Sequence, residues 1–194
     1  MSNTGIFTTT DINDLTSFNQ WSGIAGQLEL IQTQTVSAVT AVDFFDIKQN
    51  IYNQHFLTIN NVTSTGTNES IAVRFYEQGL IRISNAYEYA FQNGTAGGTF
   101  DTSTATTSTR FFVTRFNDSG DEKNSYAYFY NLGDEEKYSF MTMQSVADHS
   151  GFEFRFGSAV MKRKSLVDGI RLFGTQSGSI SGDFSLYGIR DLDV

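Results

Sequence analysis

The chain has no cysteine and no proline, one tryptophan and two histidines in 194 residues. Without cysteine there is no disulfide, no thiolate nucleophile and no Cys-based zinc site. His55 and His149 alone offer little material for metal chemistry. Without proline, turns depend on Gly, Asn, Asp and Ser, and one common guard of strand edges is missing. Edges are therefore expected to be covered by loops or by a partner. Basic residues are also scarce: 13 Lys and Arg stand against 21 Asp and Glu, a formal net charge of −8. That balance argues against nucleic acid and against an anionic membrane as partners. No stretch approaches the roughly 18 apolar residues of a membrane span. The first ten residues carry no positive charge and no apolar run, so no signal peptide is expected. No Walker loop and no Gly-x-Gly-x-x-Gly signature occurs, so no cofactor is expected.

What is present points to strands. The 18 Phe and 9 Tyr are spread along the chain among many Thr, Ser and Val. These residue types suit a pleated, half-buried surface, and the aromatics supply too much drive to burial for disorder. Alternation of apolar and polar residues predicts strands in residues 28–32, 38–47, 55–62, 70–76, 80–83, 87–91, 110–116, 124–130, 137–144, 151–160, 169–174 and 180–189. Residues 145–149 read as one helical turn, and residues 93–109, with Phe100 the one large apolar side chain, as a long exposed loop. Residues 1–26 are weakly patterned and read as an arm or lead-in, with a single domain over 27–194. The expected fold is an all-β sandwich, jelly-roll-like, of about eight to ten antiparallel strands.

No catalytic constellation stands out. Asp148, His149 and Ser150 are consecutive, so their side chains diverge and cannot form a triad. His55 lies on the face of Leu57 and Ile59 and reads as a hydrogen-bonded sheet histidine. Asp134, Glu135 and Glu136 follow a turn without the spacing of a calcium loop. The Asn-x-Ser/Thr sequences at Asn61, Asn68, Asn93 and Asn117 are what chance gives in so polar a chain. No enzyme is expected. Phe7, Phe18 and Trp21 of the lead-in, and Lys162, Arg163 and Lys164 in an expected turn, are candidates for contact with a protein partner. Trp21, Tyr87 and Tyr89 are candidates for stacking against a sugar.

The C-terminal stretch adds a resemblance. Gly169-Ile-Arg-Leu-Phe is followed by Gly178-Ser-Ile-Ser-Gly-Asp-Phe-Ser-Leu-Tyr-Gly-Ile189. This resembles the closing hairpin of a diffuse group of tailed-bacteriophage virion proteins, whose last strand often reads Gly-x-x-x-Leu-Tyr-Gly-Ile. Tyr52, followed by the run Phe56-Leu-Thr-Ile59, is similar to an upstream element of that group. The resemblance implies a β-sandwich on the outside of the particle: a head-decoration, cement, tail or fibre component, without catalytic residues. It implies capsid or tail proteins and further copies of the chain as partners, and a virion assembled in the host cytoplasm. A glycan-binding module of a phage tail or fibre, contacting a host-surface glycan, is the alternative.

Overall fold

Burial alternates with a period of two along most of the long strands, and that alternation builds the fold. The computed structural model describes residues 28–67, 69–114, 122–148, 151–176 and 178–190. They form β1 (Leu28–Val39), β2 (Ala41–Phe45), β3 (Gln54–Ser64), β4 (Ile71–Glu77), β5 (Leu80–Ile81), β6 (Tyr87–Thr95), β7 (Phe100–Ser108), β8 (Phe111–Phe112), β9 (Lys123–Tyr130), β10 (Tyr138–Asp148), β11 (Phe152–Lys164), β12 (Gly169–Gly174) and β13 (Ile180–Ile189). The described pairings are all antiparallel. One sheet of eight strands runs β1-β13-β3-β9-β10-β11-β6-β7. The other runs β2-β12-β4-β5, with β8 also on β4. The architecture is the antiparallel β-sandwich that the composition predicts.

The core lies between the two sheets. Leu57, Ile59, Phe129, Met141, Phe184 and Leu186 of the large sheet are buried, as are Val42, Phe44, Val73, Phe75, Ile170 and Leu172 of the small one. Each such side chain contributes roughly 1.5–3 kcal/mol by leaving water. Phe75 of the small sheet meets Phe129 and Tyr87 of the large one, with ring centroids 5.8 and 6.2 Å away. The outer face of the small sheet is closed by its own side chains. Arg171 grips Asp43 through two 2.7 Å hydrogen bonds, the Tyr76 hydroxyl donates to the same carboxylate, and Arg74 lies over the Phe173 ring.

The C-terminal motif has a packing explanation. In β13, Leu186 is buried in the core and Tyr187 turns outward beside Phe56. Gly188 is where the Tyr52 ring lies: a Cβ there would stand 2.2 Å from the ring. The Tyr52 hydroxyl then donates to Glu29, which pairs with Arg190. This corner ties β1, the start of β3 and the end of β13 together, so the two stretches quoted for the resemblance meet in space.

Three expectations are corrected. Residues 93–109 are not a loop but the end of β6, a short turn and the edge strand β7. The turn closes through Thr95 N–H to Thr99 O and Gly98 N–H to Thr95 O, both 3.0 Å. Thr-rich sequence fits an edge strand because β-branched side chains suit the pleat while their hydroxyls stay in water. Residues 145–148 continue β10 instead of turning helically, with Ser145 and Ala147 inward in step with Met141 and Met143. Lys162, Arg163 and Lys164 lie not in a turn but in the last residues of β11. The strand expected over 110–116 appears as β8 alone, and residues 115–121 lie outside the described set.

Candidate functional site

β11 is built the wrong way round for a simple amphipathic strand. Phe152 is 50% exposed and Phe156 48%, whereas Glu153 and Arg155 between and beside them are buried. A one-residue slip would bury the phenylalanines and free the charges, so this register must be held by something stronger than hydrophobic pattern. Arg155 supplies it. Its Nε donates to Asn93 Oδ1 at 2.7 Å and Nη1 to Thr114 O at 2.9 Å. Its guanidinium also lies over the rings of Phe91 and Phe112. Gly94 of β6 leaves the space above it to the Phe154 ring, which meets Phe100 of β7 edge-on over β6.

β9 repeats the theme. Ser125, Ala127 and Phe129 face the core while Tyr126, Tyr128 and Tyr130 face outward. Phe56 of β3 sits against this row, 4.7 Å from Tyr128 and 6.1 Å from Tyr126, and Tyr187 of β13 extends it. Between the tyrosines of β9 and the parallel-stacked Phe154 and Phe156 of β11 runs β10, whose outward side chains are Phe140, Thr142, Gln144 and Val146. The result is a shallow groove of about 530 Å³, floored by Thr142 and Gln144 and walled by Tyr126, Tyr128 and Phe156. A neighbouring groove beyond Tyr126, with Phe56, Thr58 and Asn124, shares Tyr126 and Gln144 with the first. Hydrogen bonds set the walls: the Tyr126 hydroxyl donates to Gln144 Oε1 at 2.7 Å, and the hydroxyls of Tyr130 and Thr142 pair at 3.3 Å.

The sugar-stacking candidates fare differently. Tyr87 has no exposed ring face: it is wholly buried, with its hydroxyl accepting from Phe75 N–H and donating to Arg82 O. Residues 87, 89 and 91 are the inward positions of β6, so Tyr87 is a core residue and not a glycan contact. Burial holds its phenol far above the ordinary range. Tyr89 is half-buried, stacked on Phe91 at 5.1 Å and edge-on to Phe112, and borders a groove with Ala90, Thr104 and Ser158. Trp21, Phe7 and Phe18 lie outside the described residues. Of the basic cluster, Lys162 pairs with Glu88 at 3.0 Å and Arg163 with the buried Glu77 at 3.1 Å, while Lys164 is exposed.

His55 is the sheet histidine expected of it. It is fully buried, with Nε2 2.8 Å from Ile47 O, and burial pushes its pKa below the usual imidazole value. Among the described residues no group of three or more His, Asp or Glu is placed to hold a metal ion. Chemically, the outer face offers ring faces, hydroxyls and amides.

No family model and no curated protein matches the chain. Among solved structures, it is similar to the CBM40 module of a Ruminococcus gnavus IT-sialidase bound to α2,3-sialyllactose. Identity is 10% and the TM-score 0.34, covering 84% of this chain and 95% of that one. The CBM2 module of the evolved Dit of Lactobacillus casei BL23 phage J-1 is similar at 14% identity and TM-score 0.33, covering 78% of this chain and 69% of that one. A human SPRY domain follows at 14% identity and TM-score 0.21, covering 73% and 82%. Scores this low leave both architecture and function to be argued from the chain itself.

Proposed function

We propose that this chain is a non-catalytic binding module that holds a glycan on the outer face of its large sheet, and that it does so as a component of a phage particle. The observation that carries the reading is the inverted β11, which presents Phe152, Phe154 and Phe156 to solvent beside the outward tyrosines of β9. Exposed ring faces interleaved with hydroxyls and a carboxamide match the two sides of a sugar: C–H faces that pack on rings, and hydroxyls that need hydrogen bonds. The phage setting comes from the resemblance carried by Gly178–Ile189 and by Tyr52.

A second reading keeps the virion setting but makes the same face a protein contact. It is favoured by the apolar character of the Phe100, Phe152 and Phe156 corner, where Phe100 is 64% exposed. Contiguous exposed apolar surface marks interfaces as well as ligand grooves. On this reading the chain decorates a capsid or tail by lattice contact and self-association.

A glycan array probed with the chain and with its Tyr128→Ala variant tests the first reading. Truncating a central aromatic anchor costs about 1.4 kcal/mol or more, so binding should weaken at least about tenfold. A chain that binds no glycan, yet sediments as an oligomer that Phe156→Asp dissolves, would support the second reading instead.

A further inference from the structure

The paired grooves that meet at Tyr126 and Gln144 carry no charged side chain. The first is lined by Tyr, Thr, Met, Gln, Phe, Gly and Ser, the second by Phe, Thr, Asn, Ser, Tyr, Gln and Val. The chain around them carries a net charge of −8, with 21 acidic side chains. The charges that do reach the outer face lie away from the centre. Arg155 of β11 points into the core, and Lys162, the first exposed basic side chain along the strand, is engaged by Glu88. Asp148 closes β10, and Asp183 of β13 accepts from the Thr35 hydroxyl. An anionic sugar would therefore lose water without gaining a cation, and would sit between carboxylates.

Gln144 is the polar centre of the face. Its Oε1 is occupied by the Tyr126 hydroxyl, which orients the amide and turns Nε2 to the ligand as a donor. Because Tyr126 donates to Gln144, its own oxygen remains an acceptor. The pair thus presents a donor and an acceptor side by side, as a sugar hydroxyl requires. β10 from Phe140 to Val146 is roughly 20 Å long at the rise of an antiparallel strand, so the floor accommodates several sugar rings in line.

We infer that the groove takes an uncharged, extended oligosaccharide, and that Gln144 is the residue that reads its hydroxyls. This rests on the glycan reading of the same face. The test is calorimetric titration of the intact chain with cello-, malto- and manno-oligosaccharides, and in parallel with oligogalacturonate and sialyllactose. The expected result is heat from at least one neutral series, none from the two acidic ones, and at least a tenfold weaker affinity in Gln144→Glu. That variant is isosteric, still accepts from Tyr126, and is shown to be folded by an unchanged melting profile. Binding of an acidic glycan in preference to the neutral ones overturns the inference while leaving the glycan reading in place. Equal binding by Gln144→Glu overturns the role of Gln144. Silence with every probe, in a chain that melts cooperatively, overturns the glycan reading and the inference with it.

Discussion

Gly188 is the residue at which the C-terminal motif is decided by space. Any side chain there must displace the Tyr52 ring, and with it the hydrogen bond from the Tyr52 hydroxyl to Glu29. Gly188→Ala should cost about 1–3 kcal/mol, the usual price of forcing atoms into a packed site. Urea denaturation measures it, and an unchanged midpoint would contradict the account. His55 makes a second claim at this scale. Its Nε2 bonds Ile47 O, its ring meets Tyr52 edge-on at 6.1 Å, and its pKa in the fold lies below the ordinary 6.5. The unfolded chain therefore binds the proton more readily. The contribution to stability is fully present above the unfolded value and is lost as pH falls below it. His55→Gln should lose less stability between pH 8 and pH 5 than the parent chain does. Identical losses in the two chains would refute that assignment.

The element that matters most is β11. Its buried Arg155 and exposed Phe156 predict opposite outcomes. Arg155→Ala leaves Asn93 and the Thr114 carbonyl without their charged donor in the interior, a loss of about 3 kcal/mol. Phe156→Ala removes a half-exposed ring and should cost about 1 kcal/mol or less, yet weaken glycan binding to the extent expected of Tyr128→Ala. Thermal melts and binding assays on both variants separate the two roles; a reversal of the stability order would show that the strand register is held by the phenylalanines. β11 also marks the limit of what the sequence conveys. Alternation of Phe152, Phe154 and Phe156 with Glu153 and Arg155 announces a strand, but alternation is symmetric and does not say which set faces the core. The signal that settles it lies elsewhere in the chain, in Asn93, Gly94, Phe112 and Thr114, and only pairing with β6 brings most of it together. The same holds for Tyr87 and Tyr89, inward by register although polar at the tip. Residues 93–109 were illegible for a different reason: an edge strand with both sides wet needs no apolar alternation.

At the scale of the whole molecule, the two faces of the sandwich are unlike. The outer face of the small sheet is occupied by its own ion pair and cation–π contacts around Asp43, Arg171, Arg74 and Phe173. That of the large sheet carries unused ring faces and amides over β3, β9, β10 and β11. At the edges of the large sheet, β1 and β7 each pair on one side among the described residues, and neither carries proline. The sandwich itself was legible, because strand after strand announced its period. The aromatic outer face of the large sheet was not, because it is assembled from strands far apart in the chain. The central claim is that this face, and not the opposite one, binds glycan. The most direct measurement is two-dimensional NMR of the isotope-labelled chain titrated with a neutral oligosaccharide that it binds. The account predicts shift changes concentrated at Tyr126, Tyr128, Thr142, Gln144 and Phe156. Changes confined to β2, β12 and β4 would contradict it.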